Sequence, residues 1–422
     1  MAPSRNIVVA GAGIGGLCAA LTLARAGFRV SLIEQADRLE ETGAGIQLSP
    51  NATRILIELG LDKRLRQDVV APEAILVHTA AGSRLTRIPL GFAATARYGA
   101  PYWVIHRGDL QAALTEAVQA SPDIDLRLGT RVEDYVVHAH GISVACRRGA
   151  ASADEHGIAL VGADGLWSHL RLRMGQRIRP QFRQRTAWRA LVPATRVEPE
   201  FRRPEVQLWL GRDAHLVHYP VKAGAMINIV AIVADRWAEP GWNGEGARAE
   251  LLARFSPWNW IEPVRTLLAQ PERWLKWALY DLAPLRTWGD GPATLLGDAA
   301  HPMLPFLAQG AAMAIEDAAV LASCLAQQPT APAAALRRYE VLRQYRTERA
   351  QRAARRNSSV YHLSAAEAVL RNLYLRVAGG GMLLRRYNWL YAWRAPPIPK
   401  VNIDVSAATR TRVAEHGESE AT

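Results

Sequence analysis

Two groups of residues in this chain have the types and spacing that chemistry requires. Near the start, Gly11-Ala12-Gly13-Ile14-Gly15-Gly16 forms a GxGxxG turn, and an acid, Glu34, follows it. Such a turn binds phosphate: Gly11 permits the tight bend, Gly13 lets a pyrophosphate approach the backbone, and Gly16 lets a helix pack closely on a strand. A carboxylate at Glu34 suits a free ribose 2′-OH better than a 2′-phosphate, which points to FAD or NAD. Near the middle stands His215-Leu216-Val217-His218-Tyr219. If this is a strand, period two places His215, Val217 and Tyr219 on one face and His218 on the other. An imidazole and a phenol on one face can act on one ligand, but a hydrogen-bonded core carries the same pair, and the spacing alone favours the core.

The elements around these groups are the ones they need. Ile7 to Ala10 reads as a short strand, Leu17 to Ala24 as a small-residue helix ended by Gly27, and Phe28 to Ile33 as a second strand delivering Glu34. The uncharged run Ile7 to Ala24 has the length of a signal or membrane segment. Its glycines, and the ordinary βαβ continuation, argue against that. The loop Glu41 to Asn51, with Gly45 in it, is placed to cover the far end of a dinucleotide. Residues 75 to 90 alternate as a hairpin belonging to a second sheet. Asp109 reads as the N-cap of a helix from Leu110 to Gln119, and Arg107 just before it is either a phosphate ligand or a surface arginine. A strand ends in Gly162-Ala163-Asp164-Gly165, followed by Ser168 and Arg171. Another, Ala293 to Leu296, ends in Gly297-Asp298-Ala299-Ala300-His301-Pro302, placing a carboxylate at a sheet's C-terminal edge. Gly310-Ala311-Ala312 then starts a helix with unhindered N–H groups for an anion.

Composition narrows the classes. With 49% hydrophobic and 21% charged residues, the 422-residue chain reads as a globular protein of two or three compact units. Cys18, Cys146 and Cys324 are few and widely spaced, with no metal-ligand pattern, which suggests a reducing compartment and no disulfide framework. Beyond residue 24 no uncharged stretch reaches bilayer length, so the cytoplasm is the expected location. The net charge of +12 raises nucleic-acid binding. Half of it lies between Arg337 and Arg356, where Leu336, Tyr339, Leu342 and Tyr345 recur at helical spacing. That makes the arginines the solvated face of an amphipathic helix. An attraction for anionic substrates is the milder implication.

In this order the motifs resemble those of the single-component flavoprotein aromatic hydroxylases with the para-hydroxybenzoate hydroxylase fold. The similarity runs from about residue 5 to 395. It is strongest to the salicylate hydroxylase, 3-hydroxybenzoate 6-hydroxylase and 6-hydroxynicotinate 3-monooxygenase branch. The resemblance implies bound FAD held by Gly11, Gly13, Gly15, Gly16, Glu34, Gly45, Arg107, Asp164, Asp298, Gly310, Ala311 and Ala312. Arg107 would meet the pyrophosphate, Asp298 the ribityl chain, and Gly310 to Ala312 the pyrimidine edge; the Asp164 motif would also serve the nicotinamide donor. It further implies NADH or NADPH and O2 as co-substrates, a C4a-hydroperoxide of the flavin as oxidant, and a small aromatic acid as substrate. His215 becomes the base, expected near its ordinary pKa of about 6.5, and Tyr219 its positioning partner. Neither a metal, nor nucleic acid, nor a membrane span is implied, and a homodimer is compatible with it. One departure stands out: where some relatives set a Gln or His facing the substrate, this chain has Pro305 and Phe306. The regiochemistry of a relative therefore does not carry over.

The expected fold is α/β: an FAD-binding Rossmann-like βαβ domain with an interleaved antiparallel-sheet substrate domain and C-terminal helices. The FAD domain is divided among 1–74, 101–175 and 285–330. A hairpin at 75–100 and the tryptophan-rich 176–284 form the substrate domain, 331–400 the helices, and 401–422 a disordered tail. Two other functions use parts of the same sequence: a same-fold FAD oxidoreductase or oxygenase acting on a non-phenolic ring, and a basic nucleic-acid-binding protein.

Overall fold

The computed structural model describes residues 5–39, 44–241, 244–255, 260–363 and 365–401. Glu41 to Gly43 of the loop expected over the dinucleotide, Trp242 and Trp258 of the tryptophan-rich segment, and the expected tail beyond residue 401 lie outside the described residues.

Five strands make one parallel sheet, in the order Ala293–Leu295, Ala159–Gly162, Asn6–Ala10, Arg29–Ile33, Ile124–Arg127. The inner strands are short and, apart from Asn6 and the exposed Arg29 that open two of them, uncharged and buried, as parallel strands covered by helices must be. Register decides what this sheet does. Ala10 pairs with Gly162, and Gly162 with Leu295, so the three motif-bearing strands are neighbours that end level with one another. Gly11, Ala163 and Leu296 therefore leave the sheet side by side.

Two helices cover one region of this sheet. Ile14–Arg25 and Gly310–Gln327 are alanine-rich and approach closely enough for the Thr22 hydroxyl to donate to the Ala318 carbonyl at 3.0 Å. Gly310–Gln327 has the length and apolarity to cross a membrane, but most of it is buried inside the protein.

The second large sheet has eight strands, ordered Gly244–Gly246, Trp274–Asp281, Gln181–Pro193, Met226–Ala234, Ala214–Val221, Glu205–Leu210, Ala74–Thr79, Arg84–Pro89. It is antiparallel except where the hairpin joins, since Ala74–Thr79 runs parallel to Glu205–Leu210. A small pair, Gly45–Leu48 with Trp103–His106, bridges towards the first sheet. Three further strands, Arg131–His138, Gly141–Arg148 and Ala151–Gly157, form a separate ladder.

Two sequence expectations are corrected here. The helix expected to be capped by Asp109 begins at Arg107, with His106 at the N-cap; Asp109 lies in the first turn and pairs with Lys222 at 2.7 Å. The arginine-rich helix, Pro332–Tyr361, does not turn all its charges to solvent, and only the first half of the expected apolar stripe, Leu336 and Tyr339, is buried. Leu342 and Tyr345 are exposed, whereas Arg343 is fully buried beside Leu336 and Tyr339. Glu316 and Asp317 on the Gly310–Gln327 helix are also fully buried, and uncompensated carboxylates there are too costly to keep. Arg343 bonds both at 2.7 Å and Arg346 bonds Glu316 at 2.6 Å. Arg343 and Arg346 are thus internal counter-charge.

Candidate active site

Where the C-terminal edge of the parallel sheet faces the eight-stranded sheet lies a cavity of about 380 Å³. Its walls come from both sheets and from the starts of two helices.

The glycine end is built by backbone. Gly11 has φ of +105°, and a Cβ there would stand 2.4 Å from the Ala163 carbonyl oxygen; a Cβ on Gly16 would stand 1.8 Å from the Gly11 oxygen. Both residues are glycine so that the loop can close. Gly13 differs, because a Cβ on it meets nothing within 4 Å, and it lines the cavity as the N-cap of Ile14–Arg25. Neither that helix nor Gly310–Gln327 has a side-chain cap, so both present bare N–H groups and positive dipole ends. Asp298 and Arg107 share the cavity wall with these helix starts. Burial raises the Asp298 carboxyl above its ordinary value, and His301 and Arg107 oppose the rise.

The second motif acts as a clasp. Ser168 accepts from the Arg171 N–H at 2.9 Å and Asp164 from the Leu170 N–H at 3.0 Å. The buried Arg171 guanidinium donates to the carbonyls of Leu166 and Ala299 at 2.7 and 2.9 Å, tying this loop to the Asp298 loop. The other Asp164 oxygen is buried without a partner among the described residues. Glu34 accepts from the Ala12 N–H at 2.7 Å and the Ala36 N–H at 2.9 Å, so it holds the glycine loop itself.

The aromatic end is built by strands. His215, Val217 and Tyr219 face the cavity together, flanked by Val230 and Ile232 of the next strand and by Arg189, Trp277 and Leu279 beyond. His218 points the other way and accepts from the Trp209 indole N–H at 3.1 Å. The His215 Nδ1 lies 2.9 Å from Nε2 of His362, and the rings of Phe306 and Tyr361 pack around it. Burial, helped by His362 and Arg185, pushes His215 well below 6.5. This corrects the expectation of an ordinary imidazole pKa. The ring is neutral at pH 7, a standing acceptor whose protonation depends on a negative charge arriving beside it. Burial raises the Tyr219 phenol, so it stays neutral and able to donate. Gly45 is packed so tightly on Tyr219 that a Cβ would lie 2.5 Å from its ring, and the Gly45 N–H donates to Asn228 Oδ1 at 2.6 Å.

Of the residues singled out from sequence, Gly13, Gly15, Gly45, Arg107, Asp298, Gly310, Ala311, His215 and Tyr219 meet on this one cavity. Gly11, Gly16, Glu34, Asp164 and Ala312 are not among its lining. Trp277 belongs to the tryptophan-rich segment expected to carry the substrate pocket; Arg189 and His362 escaped the sequence reading. Arg189 shares its strand with Arg183 and Arg185, from which its type does not distinguish it, and His362 is far from His215 in the chain, so no spacing joins them.

Residues 5–357 match the family model described as FAD binding domain. The chain belongs to this FAD-binding family. Its relatives include 3-hydroxybenzoate 6-hydroxylase 1 of Aquipseudomonas alcaligenes, 37% identical over 92% of this chain and 97% of that one. The 6-hydroxynicotinate 3-monooxygenase of Bordetella bronchiseptica is 36% identical over 84% of this chain and 91% of that one. Among solved structures, Klebsiella pneumoniae HpxO complexed with FAD and uric acid superposes with a TM-score of 0.81 at 25% identity, covering 93% of this chain and 97% of HpxO. This member of the family is an FAD-dependent monooxygenase, of the aromatic hydroxylase kind and of α/β fold. The cavity fits the cofactor: an open glycine approach at Gly13, two uncapped helix starts, and a carboxylate and a guanidinium on the same wall.

Proposed function

We propose that this flavoprotein hydroxylates a small aromatic or heteroaromatic acid bearing a ring hydroxyl, of the salicylate or 3-hydroxybenzoate type, with NAD(P)H and O2. The observation that carries the reading is that His215, Tyr219 and Arg189 face one cavity shared with the bare Gly310 helix start. Bound FAD supplies the chemistry the side chains lack, taking electrons from the nicotinamide and activating O2. Gly13, Gly15, Arg107, Asp298, Gly310 and Ala311 would hold it.

The chain's own residues prepare the substrate. His215 accepts the ring hydroxyl's proton, which enriches the ring for electrophilic attack. The developing phenolate offsets the burial penalty on the imidazolium, so the two charges form as a pair. Tyr219, neutral, donates a hydrogen bond that holds the ring oxygen. Arg189 attracts the carboxylate: burial, together with Arg107, brings it down to about 9, so it is still a cation at pH 7. Val217, Val230, Ile232 and Leu279 keep water from the reacting ring. Three buried free thiols support a cytoplasmic setting.

A non-phenolic ring is the rival substrate, given the uric acid complex of HpxO. The test is NADH and NADPH oxidation, oxygen uptake and product identity across salicylate, 3-hydroxybenzoate, 4-hydroxybenzoate, 6-hydroxynicotinate and urate. One acid should accelerate oxidation and yield a hydroxylated product, and His215→Ala should abolish product while substrate-free flavin reduction persists. Stimulation by urate alone, insensitive to His215→Ala, would replace the phenolic reading.

A further inference from the structure

We infer that His362 is a positioning residue that fixes the tautomer of His215, leaving the Nε2 nitrogen of His215 as the bare acceptor for the substrate's proton. The inference rests on the reading of His215 as the base and adds to it a residue 147 positions away.

The hydrogen-bond chain leaves one assignment. His362 stands just past the end of Pro332–Tyr361, and its Nδ1 lies 2.6 Å from the Ser358 carbonyl oxygen. A carbonyl only accepts, so this Nδ1 carries the hydrogen. In a neutral imidazole the other nitrogen then holds a lone pair, and His362 Nε2 faces His215 Nδ1 at 2.9 Å. That contact is a hydrogen bond only if His215 Nδ1 is the donor. The alternative tautomer would set two lone pairs against each other in a buried site, losing one bond and adding repulsion. With its hydrogen on Nδ1, His215 presents Nε2 as an acceptor.

The surroundings keep His362 neutral, as the assignment requires. Burial and Arg185 bring it down to about 3, against the opposing pull of the Ser358 carbonyl; Arg371 lowers it further. Arg185 comes from Gln181–Pro193, donates to the Asp213 carbonyl at 3.5 Å, and is itself near Asp213 in charge. Arg371 comes from Ala365–Arg385 and donates to the carbonyls of Val360 and Tyr361. The remaining neighbours, Phe306 and Tyr361, are uncharged rings. Two cations therefore face the pair, and a doubly protonated pair is disfavoured over the working pH range.

The same geometry serves the protonated state. Once His215 takes a proton at Nε2, its Nδ1–H bond to His362 becomes charge-assisted and stronger. The helix end supplies further negative partial charge through its last carbonyls. His362 thus sets the acceptor before proton transfer and steadies the cation after it.

The closing experiment has two arms. In the first, 15N spectra of the histidine-labelled wild-type holoenzyme, assigned with His215→Gln, read the tautomer directly. The Nδ1–H form of His215 is expected, and the Nε2–H form overturns the inference. In the second, His362→Phe removes the acceptor at similar size, while His362→Gln can restore it with its amide oxygen. Ultraviolet difference spectra of bound 3-hydroxybenzoate follow phenolate formation against pH. His362→Phe should move that midpoint upward and lower kcat/KM on the order of tenfold or more, and His362→Gln should stay within about threefold of wild type. Equal losses in both variants with an unmoved phenolate midpoint would reduce His362 to a packing residue. If His215→Ala leaves phenolate formation and product intact, it is the proposed function that fails, whatever His362 does.

Discussion

The Arg189 guanidinium carbon lies 3.2 Å from the centroid of the Trp277 ring, on the cavity wall that also carries Tyr219. The indole holds the cation flat against an apolar wall, and an anion in the cavity is its natural complement. Arg189→Met keeps the packing and removes the charge. It should raise Kd for the acid substrate by about ten- to a hundredfold, from the loss of a charged hydrogen bond of about 1.5–3 kcal/mol. A neutral analogue such as 3-hydroxybenzyl alcohol should be little affected. Because burial brings this arginine down to about 9, acid binding to the free enzyme should be fully present at pH 7 and weaken as pH rises through 9. Flavin-fluorescence titrations of wild type and Arg189→Met from pH 6 to 10 check this.

Gly45 bears on Tyr219 in a way that separates positioning from folding. A methyl group at Gly45 would come within 2.5 Å of the Tyr219 ring, 2.8 Å of Asn228 and 2.9 Å of the Tyr219 hydroxyl. Gly45→Ala should displace the hydroxyl and leave the sheets standing. The expected result is a lower yield of hydroxylated product per NADH consumed, with hydrogen peroxide making up the difference, and a melting temperature within a few degrees of wild type. Paired assays of NADH, oxygen and product read it.

The buried ion cluster of Arg343 with Glu316 and Asp317 should dominate acid stability. Burial alone would raise Asp317, but the charges of His301 and Arg343 outweigh it and hold the carboxyl below its ordinary value. A lowered carboxyl contributes stability that is present above its unfolded value and lost as pH falls through the folded one. Arg343→Met should destabilise the holoenzyme by about 3–5 kcal/mol at pH 7, because it leaves buried carboxylates short of counter-charge. The gap to wild type should close as pH falls below the ordinary carboxylate range. Urea unfolding at a series of pH values measures both.

What the sequence made legible divides along physical lines. The three motifs could be read because each is a local event, a strand ending in a glycine turn. That they meet was readable only through fold resemblance, since the pairing of Ala10, Gly162 and Leu295 is set by strands far apart in the chain. His215 and Tyr219 could be placed on one face by period two. The His215 pKa could not, because its cause is enclosure by Phe306, Tyr361 and His362 from other elements. The Pro332–Tyr361 helix misled for a similar reason. Its Leu342 and Tyr345 mark an apolar stripe by spacing, yet the partner helix carries Glu316 and Asp317, so the face that turns inward is the one with Arg343. Periodicity finds a buried face when the neighbour is apolar and fails when the neighbour is charged.

The glycine loop offers a test that separates cofactor binding from folding within one motif. At Gly13 a side chain would project into the open cavity, its backbone is an ordinary extended one with φ of −70°, and nothing lies within 4 Å. Gly13→Val is therefore expected to fold with near wild-type stability in the cofactor-free state and to bind FAD at least tenfold more weakly, since the methyl groups occupy the space a pyrophosphate needs. Gly16→Ala places its methyl 1.8 Å from the Gly11 oxygen, so the strand-to-helix turn itself must open. That variant should lose both stability and FAD. Apo-protein melting and FAD titration by fluorescence quenching, run on the two side by side, distinguish the roles. Equal loss of stability in both would mean that Gly13 is there for the fold and not for the cofactor.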